Sequence, residues 1–132
     1  MTTRILQIVV GLAGLCALVL GLIIWIAHVN LTDIHMLFGL LVTLGLLAMS
    51  IIALTARELR IWGIVGIVYA IIVPIFGVSQ AHMLAGNLHW LIQTLHTLVG
   101  IGALALTGSL GAHYRALKRG EAKPSATSQA LR

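Results

Sequence analysis

The sequence predicts an all-α integral membrane protein: a four-helix bundle made of two similar helical hairpins, with both termini on the cytoplasmic side. Two observations carry this prediction. Hydrophobic residues make up 60% of the 132-residue chain, and charged residues only 8%. The apolar residues also gather into four long runs separated by short polar connections, as transmembrane helices do along a chain.

The four apolar runs cover residues 5–27, 34–56, 61–79 and 88–112. Each is close to the roughly 20 residues that an α-helix needs to cross a bilayer. Arg4 precedes the first run as in a signal peptide, but the run is longer than a signal core and no small-residue cleavage site follows it, so we expect a permanent helix. We expect a transmembrane bundle over residues 1–113 and a flexible basic cytoplasmic tail over residues 114–132.

The basic residues set the expected orientation, because Lys and Arg near span ends are retained on the cytoplasmic side. All eight precede the first run, separate the second from the third, or follow the fourth: Arg4, Arg57, Arg60, Arg115, Lys118, Arg119, Lys123 and Arg132. We therefore predict cytoplasmic termini and a multi-pass protein of the inner (plasma) membrane. The net charge of +5 is explained by this topology and by attraction to anionic lipid, so no nucleic-acid partner is expected.

A short pattern, His-x-Leu-x-Gly, occurs once in each half of the chain. It begins at His35 and again at His96, and ends at Gly39 and Gly100, inside apolar runs. An imidazole in hydrocarbon is costly, so an intramembrane histidine is a candidate functional residue. We interpret His35 and His96 as the axial ligands of one haem iron, with Gly39 and Gly100 clearing space for the porphyrin between facing helices.

The two histidines lie at comparable predicted depths. His35 is 22 residues from Arg57, and His96 is 19 residues from Arg115. At 1.5 Å per residue they stand roughly 33 and 28 Å above the basic surface, a difference that helix tilt absorbs. His89 precedes His96 by seven residues on nearly the same helix face, which makes it the rival ligand. We place His89 nearer the outer surface, where it suits a propionate better than the iron.

The haem propionates are expected to point outward. The two outer connections carry no Lys or Arg, so the donors must be amides, imidazoles and indoles. The available side chains are Trp25, Asn30, Gln80, His82, Asn87, His89, Trp90 and Gln93. From these we select His89, Trp90, Gln93 and Asn30 as cofactor-binding residues.

Other interpretations stay open. Neutral imidazoles can form interhelical hydrogen bonds to backbone or to Thr43, Thr94 or Thr97. A non-haem metal site would normally add a carboxylate or thiolate, and the only outer acid is Asp33. The glycine-rich helices also suit a cofactor-free accessory or assembly subunit of a respiratory or photosynthetic membrane complex. A transporter fits less well, because no span is broken by paired Gly and Pro at its midplane.

Residues 33–42 and 88–100, which open the second and fourth runs, resemble the histidine-bearing helices of one half of a haem A synthase. The resemblance covers all four spans, since each half of those enzymes is a four-helix bundle with a haem between its second and fourth helices. It implies that His35 and His96 occupy the axial-ligand positions. Here Thr32 stands where the family has a catalytic glutamate, the outer cysteine pair is missing, and only one bundle is present. These departures argue against haem A synthase activity, and an eight-helix assembly would require a homodimer.

The sequence thus predicts a b-type cytochrome with one haem b, an electron carrier rather than an enzyme. Ligation of both axial positions by histidine favours outer-sphere transfer between a quinol or redox-protein partner and another carrier. The expected partners are haem, membrane lipids, and either a second copy of this chain or a larger membrane complex. A quinone is a further expected partner, with Gln93, His89 or Tyr69 as pocket residues.

Overall fold

The computed structural model describes residues 2–84 and 86–121, and this part of the chain contains four long α-helices. Short connections join them, two of which include a single turn of 3-10 helix, at Arg57–Leu59 and Gln80–His82. The long helices are α1 (Thr2–Ala27), α2 (Thr32–Leu54), α3 (Arg60–Ser79) and α4 (His89–Glu121).

All four helices are long and apolar enough to cross a membrane. The shortest, α3, has 20 residues, which at 1.5 Å per residue spans about 30 Å. Large apolar side chains are exposed along every helix; Ile61 is 76% exposed and Ile8 54%. A surface with this many exposed apolar side chains is favourable in contact with lipid and unfavourable in contact with water. The predicted all-helical architecture of four apolar helices is therefore confirmed, and it suggests a membrane protein.

The helix ends differ most from the sequence expectation at two places. Helix α1 begins three residues before the predicted run, and α4 continues nine residues beyond it, to Glu121. The extension of α4 has a packing reason, because Tyr114 and Leu117 contact the hydrophobic core. Lys118 and Arg119 in its last turn also complement the helix dipole. The predicted tail therefore begins as helix, and its remainder, residues 122–132, lies outside the described residues.

Helices α2 and α4 form the central pair of the bundle. Each of them contacts the other and both flanking helices, whereas α1 and α3 share no contact among the described residues. Each hairpin, α1–α2 and α3–α4, therefore contributes one flanking and one central helix. The histidines at 35 and 96 both lie on the central helices, near their first turns.

The core is concentrated toward one end of the bundle, which we call the basic end; it holds the Arg57–Leu59 turn and the last turns of α4. Leu46 and Met49 are fully buried there, and Gly66 lies directly against Ser50. Small residues let transmembrane helices approach closely, and this close approach increases the dispersion contacts between them. The opposite end, which we call the histidine end, holds the α1–α2 and α3–α4 connections.

Candidate functional site

A cavity of about 310 Å³ occupies the half of the bundle toward the histidine end. Helices α1, α2 and α4 supply most of its wall, and Val73 and Gln80 are the lining residues from α3 and the turn that follows it. Its deep part is apolar, with Gly14, Val42 and Leu104 among the lining residues. A largely apolar chamber with a few polar groups is typical of a small-molecule or cofactor site.

His35 and His96 lie next to each other at the wall of this cavity, one on each central helix. Their ring centroids are 6.0 Å apart, and the ring planes are inclined by 57°. Both side chains are partly buried and both line the cavity. The two predicted axial ligands, 61 residues apart in the sequence, are therefore brought together.

The ring of His35 is held by α1. Its Nδ1 donates a 2.9 Å hydrogen bond to the carbonyl oxygen of Ala17. One turn further along α1, Gly21 lets the ring pack closely: a Cβ placed on Gly21 would lie 3.1 Å from Cε1 of His35. Because Nδ1 carries the proton in this bond, Nε2 keeps its lone pair for a ligand.

The ring of His96 is held by packing against α3. It lies beside Phe76, with ring centroids 5.9 Å apart, and against Gly77, where an added Cβ would lie 3.3 Å from Cε1 of His96. Its Nδ1 is buried and has no hydrogen-bond partner among the described residues. A buried polar atom without a partner is uncommon in proteins.

The two glycines of the repeated pattern open space beside the histidines. Gly39 and Gly100 both line the cavity, and a Cβ placed on either would have no neighbouring atom within 4 Å. Gly14, by contrast, is covered by the side chain of Leu104. The glycines at 39 and 100 therefore serve the cavity rather than helix packing.

Of the other predicted cofactor residues, the structure brings His89 and Gln93 to the cavity and leaves Asn30 and Trp90 outside it. Residues 89, 93, 96 and 100 share one face of α4 because they are spaced by three or four positions. Trp90 is turned about 100° from His89 and is 52% exposed. Asn30 is exposed in the α1–α2 connection.

The rival ligand His89 has a partner of its own. Its Nδ1 donates a 3.2 Å hydrogen bond to the carbonyl oxygen of Met83 in the α3–α4 connection. No ring contact joins it to His35 in the described structure, whereas His96 has one. His89 thus lines the cavity, and its role toward a propionate stays a prediction.

The alternative in which threonine hydroxyls satisfy the histidines is not what the structure has. The hydroxyls of Thr43, Thr94 and Thr97 each donate to a backbone carbonyl one turn earlier in their own helix. His35 instead bonds to the backbone of α1. The open alternative of an interhelical hydrogen bond from imidazole to backbone is therefore what the structure has for His35. Sequence reasoning did not identify which carbonyl accepts this bond, nor the two glycines, at 21 and 77, that lie against the rings.

The donor set limits the kind of metal centre that fits. The described residues contain no group of three or more His, Cys, Asp or Glu side chains that could hold a metal ion. Two imidazoles alone are too few for the tetrahedral or octahedral sites of bare ions. They are the right number for a porphyrin iron, whose remaining four ligands come from the porphyrin.

No model of a known protein family, no curated protein and no solved structure matches this chain.

Proposed function

We propose that the protein is a membrane-embedded b-type cytochrome that holds one haem b between His35 and His96 and transfers single electrons. The observation that carries the proposal is the 6.0 Å separation of the two ring centroids at the wall of a cavity. An imidazole nitrogen bonds a metal at about 2 Å, and the ring centre lies about 1 Å behind that nitrogen. Two imidazoles on opposite sides of one iron therefore have ring centres roughly 6 Å apart.

The state of the His35 ring supports the same role. Donation of its Nδ1–H to the Ala17 carbonyl fixes the tautomer and makes Nε2 more basic, as the second shell of metal-bound histidines does. Gly39 and Gly100 leave the adjacent space open, where any larger residue would place side-chain atoms. These features favour a flat, bulky group over a simple hydrogen bond between the rings.

A bound haem would supply reversible one-electron oxidation and reduction at its iron. His35 and His96 would occupy both axial positions and so deny dioxygen a coordination site. The apolar walls, including Val42, Ile101 and Leu104, would exclude water from the centre. With haem bound, these residues would suit outer-sphere electron transfer between a quinol or redox protein and another carrier.

The setting we propose is the inner (plasma) membrane, with both termini and the basic end in the cytoplasm. The support for this orientation is the distribution of Lys and Arg described above. The histidine end would then face the outer side, close to the haem. We further propose the relationship to one half of a haem A synthase, with a homodimer or a larger complex supplying any second bundle.

The test is a reduced-minus-oxidised optical spectrum of the purified protein. We expect a sharp α band of a b-type haem in the wild type and in the matched control His89→Ala, whose imidazole also lines the cavity. We expect loss of that band in His35→Ala and in His96→Ala. Retention of the α band in His96→Ala, together with its loss in His89→Ala, would assign the second ligand to His89. A folded but colourless wild type would overturn the proposal and favour a cofactor-free accessory subunit.

A further inference from the structure

We infer that the side-chain amide of Gln80 is a positioning group for His96: its Oε1 accepts a hydrogen bond from the Nδ1–H of that ring when the haem is bound. This inference rests on the proposed function, because it concerns the second axial ligand. It gives His96 the kind of partner that His35 already has in the Ala17 carbonyl. Gln80 then acts through His96 and not through any contact of its own with the haem.

Two buried polar atoms lack a hydrogen-bond partner in the described part of the chain, and they are complementary. One is Oε1 of Gln80, an acceptor, and the other is Nδ1 of His96. When Nε2 of a histidine binds a metal, its Nδ1 carries the proton and is a donor. Leaving both atoms unpaired costs free energy, which a bond between them removes. Both side chains line the same cavity.

The His96 ring turns its Nδ1 edge toward α3. A Cβ placed on Gly77 would lie 3.3 Å from Cε1 and 4.0 Å from Nδ1 of His96, whereas Nε2 lies beyond 4 Å. His35 is placed on α1 in the same way, with Cε1 and Nδ1 as its nearest atoms to the Cβ position of Gly21. The partner of Nδ1 in His35 comes from the helix that carries this glycine. We therefore expect the partner of Nδ1 in His96 to come from α3 or the turn that follows it.

Gln80 stands one helical turn beyond the residues of α3 that contact His96. Its backbone is still helical, with φ −56° and ψ −32°, and its N–H donates to the carbonyl of Phe76. Side chains on a helix lean back over the residues three and four positions earlier, here Gly77 and Phe76, which both lie against the His96 ring. Cβ atoms at this spacing are about 5 to 6 Å apart, which a glutamine side chain and one hydrogen bond together can span. Rotation of the Gln80 side chain can therefore bring Oε1 to Nδ1.

The counterpart of Ala17 on α3 is Val73, because each stands four residues before the glycine that lies against a histidine ring. Its carbonyl belongs to α3, where the backbone N–H four residues on is its regular partner. Oε1 of Gln80 has no such partner among the described residues, so it gains more from a bond with His96. This bond requires Gln80 to turn, whereas the Ala17 carbonyl is already bonded to His35, so His35 remains the ring that is oriented in advance.

The test uses the reduced, haem-loaded protein, whose low-spin ferrous iron is diamagnetic and suits proton NMR of ring N–H groups. We expect two Nδ1–H signals at the low field of hydrogen-bonded imidazoles, one from each ligand. Gln80→Leu should move one of them upfield and leave the other, from His35, unchanged. Gln80→Glu keeps an acceptor and should keep both at low field. The matched control is Ser79→Ala, which removes a neighbouring hydroxyl that donates to the Phe76 carbonyl, and it should also keep both.

Haem affinity and reduction potential give a second readout. Loss of the hydrogen bond makes Nε2 of His96 less basic, and a less basic ligand stabilises ferric iron less. Gln80→Leu should therefore bind ferric haem about tenfold more weakly than the wild type, and its reduction potential should be higher. Ser79→Ala should match the wild type in both measurements.

The outcomes separate this inference from the function on which it rests. A single low-field ring signal in the wild type would overturn the inference. Two low-field signals and an unchanged potential in Gln80→Leu would also overturn it, and would favour the Val73 carbonyl as the acceptor. In both cases the bis-histidine spectrum remains and the cytochrome proposal stands. If the wild type shows no bis-histidine spectrum, the proposed function fails and this inference fails with it.

Discussion

The two hairpins deliver the same side chain to the cavity but hold it differently. In the α1–α2 hairpin, the His35 ring is fixed by a hydrogen bond to the Ala17 carbonyl and by contact with Gly21. In the α3–α4 hairpin, the His96 ring lies against Gly77, and its Nδ1 has no partner among the described residues. One histidine ring is thus held by a directional hydrogen bond and the other by packing alone.

This difference has a consequence for the strength of the two proposed iron bonds. A histidine whose Nδ1–H is bonded to a carbonyl is oriented in advance and is a stronger base at Nε2. The other ring has no such hydrogen bond at its Nδ1 among the described residues. The His35 side should therefore hold the haem more firmly, and the His96 side should be the first to release it.

The largest expected effect comes from removing each ligand in turn. Both His35→Ala and His96→Ala should lose the bis-histidine spectrum. His96→Ala should retain at least about tenfold more haem per protein than His35→Ala, because its remaining histidine is the one that is hydrogen-bonded to Ala17. Haem content from the pyridine adduct, together with carbon monoxide binding at the vacated position, measures this difference. Equal retention in the two variants would show that the Ala17 bond does not distinguish the ligands.

Filling the space beside the rings is the next largest change. Gly39→Leu and Gly100→Leu should each lower haem affinity more than about tenfold, because the new side chain enters the volume that we propose for the porphyrin. The helices should still form, since no atom lies within 4 Å of either Cβ position. Gly108→Leu is the matched control: it is equally open but exposed on α4, away from the cavity. Helix content by circular dichroism and haem titration are measured in parallel.

Loss of affinity in Gly108→Leu to the same degree would show that the effect is general damage to α4. Retention of full affinity in Gly39→Leu and Gly100→Leu would mean that the porphyrin does not use this space.

The comparison also shows which parts of the site a sequence can predict. The four helices follow from apolar run length, and the grouping of His89, Gln93, His96 and Gly100 follows from helical periodicity. The contacts that hold the histidine rings cannot be predicted in this way, because the position of a backbone carbonyl such as that of Ala17 gives no pattern in the sequence. Which helix faces which neighbour is set by three-dimensional packing.

The positions of the other predicted cofactor residues have the same origin. The sequence offers Asn30 and Trp90 as hydrogen-bond donors near the outer ends of the apolar runs. One is exposed in a connection and the other lies off the cavity face of α4. The continuation of α4 to Glu121 likewise depends on tertiary contacts of Tyr114 and Leu117 with the core, which hydropathy alone does not reveal.

A smaller effect is expected from the glycines behind the rings. Gly21→Ala places a methyl group 3.1 Å from Cε1 and 3.5 Å from Nδ1 of His35, whereas Gly77→Ala places one 3.3 Å from Cε1 of His96. The first should shift the ring away from the Ala17 carbonyl and weaken haem binding several-fold. The methyl group of Gly77→Ala disturbs only the packing against His96, so this substitution should weaken haem binding less. Haem titration of the two variants measures the difference, and a larger loss in Gly77→Ala would reverse the proposed order of the ligands.

The smallest effect is expected at the basic end, where the two hairpins meet without any part of the cavity. There Gln7 on α1 donates a 2.7 Å hydrogen bond to the Gly108 carbonyl on α4 and accepts one from Arg115. Interhelical hydrogen bonds in membranes contribute about 0.6 kcal/mol on average. Gln7→Met should therefore lower the free energy of unfolding in detergent by about 1 kcal/mol and leave the haem spectrum and affinity unchanged. A changed spectrum would mean that the two ends of the bundle are coupled, so that the difference between the histidines could not be assigned to their local contacts alone.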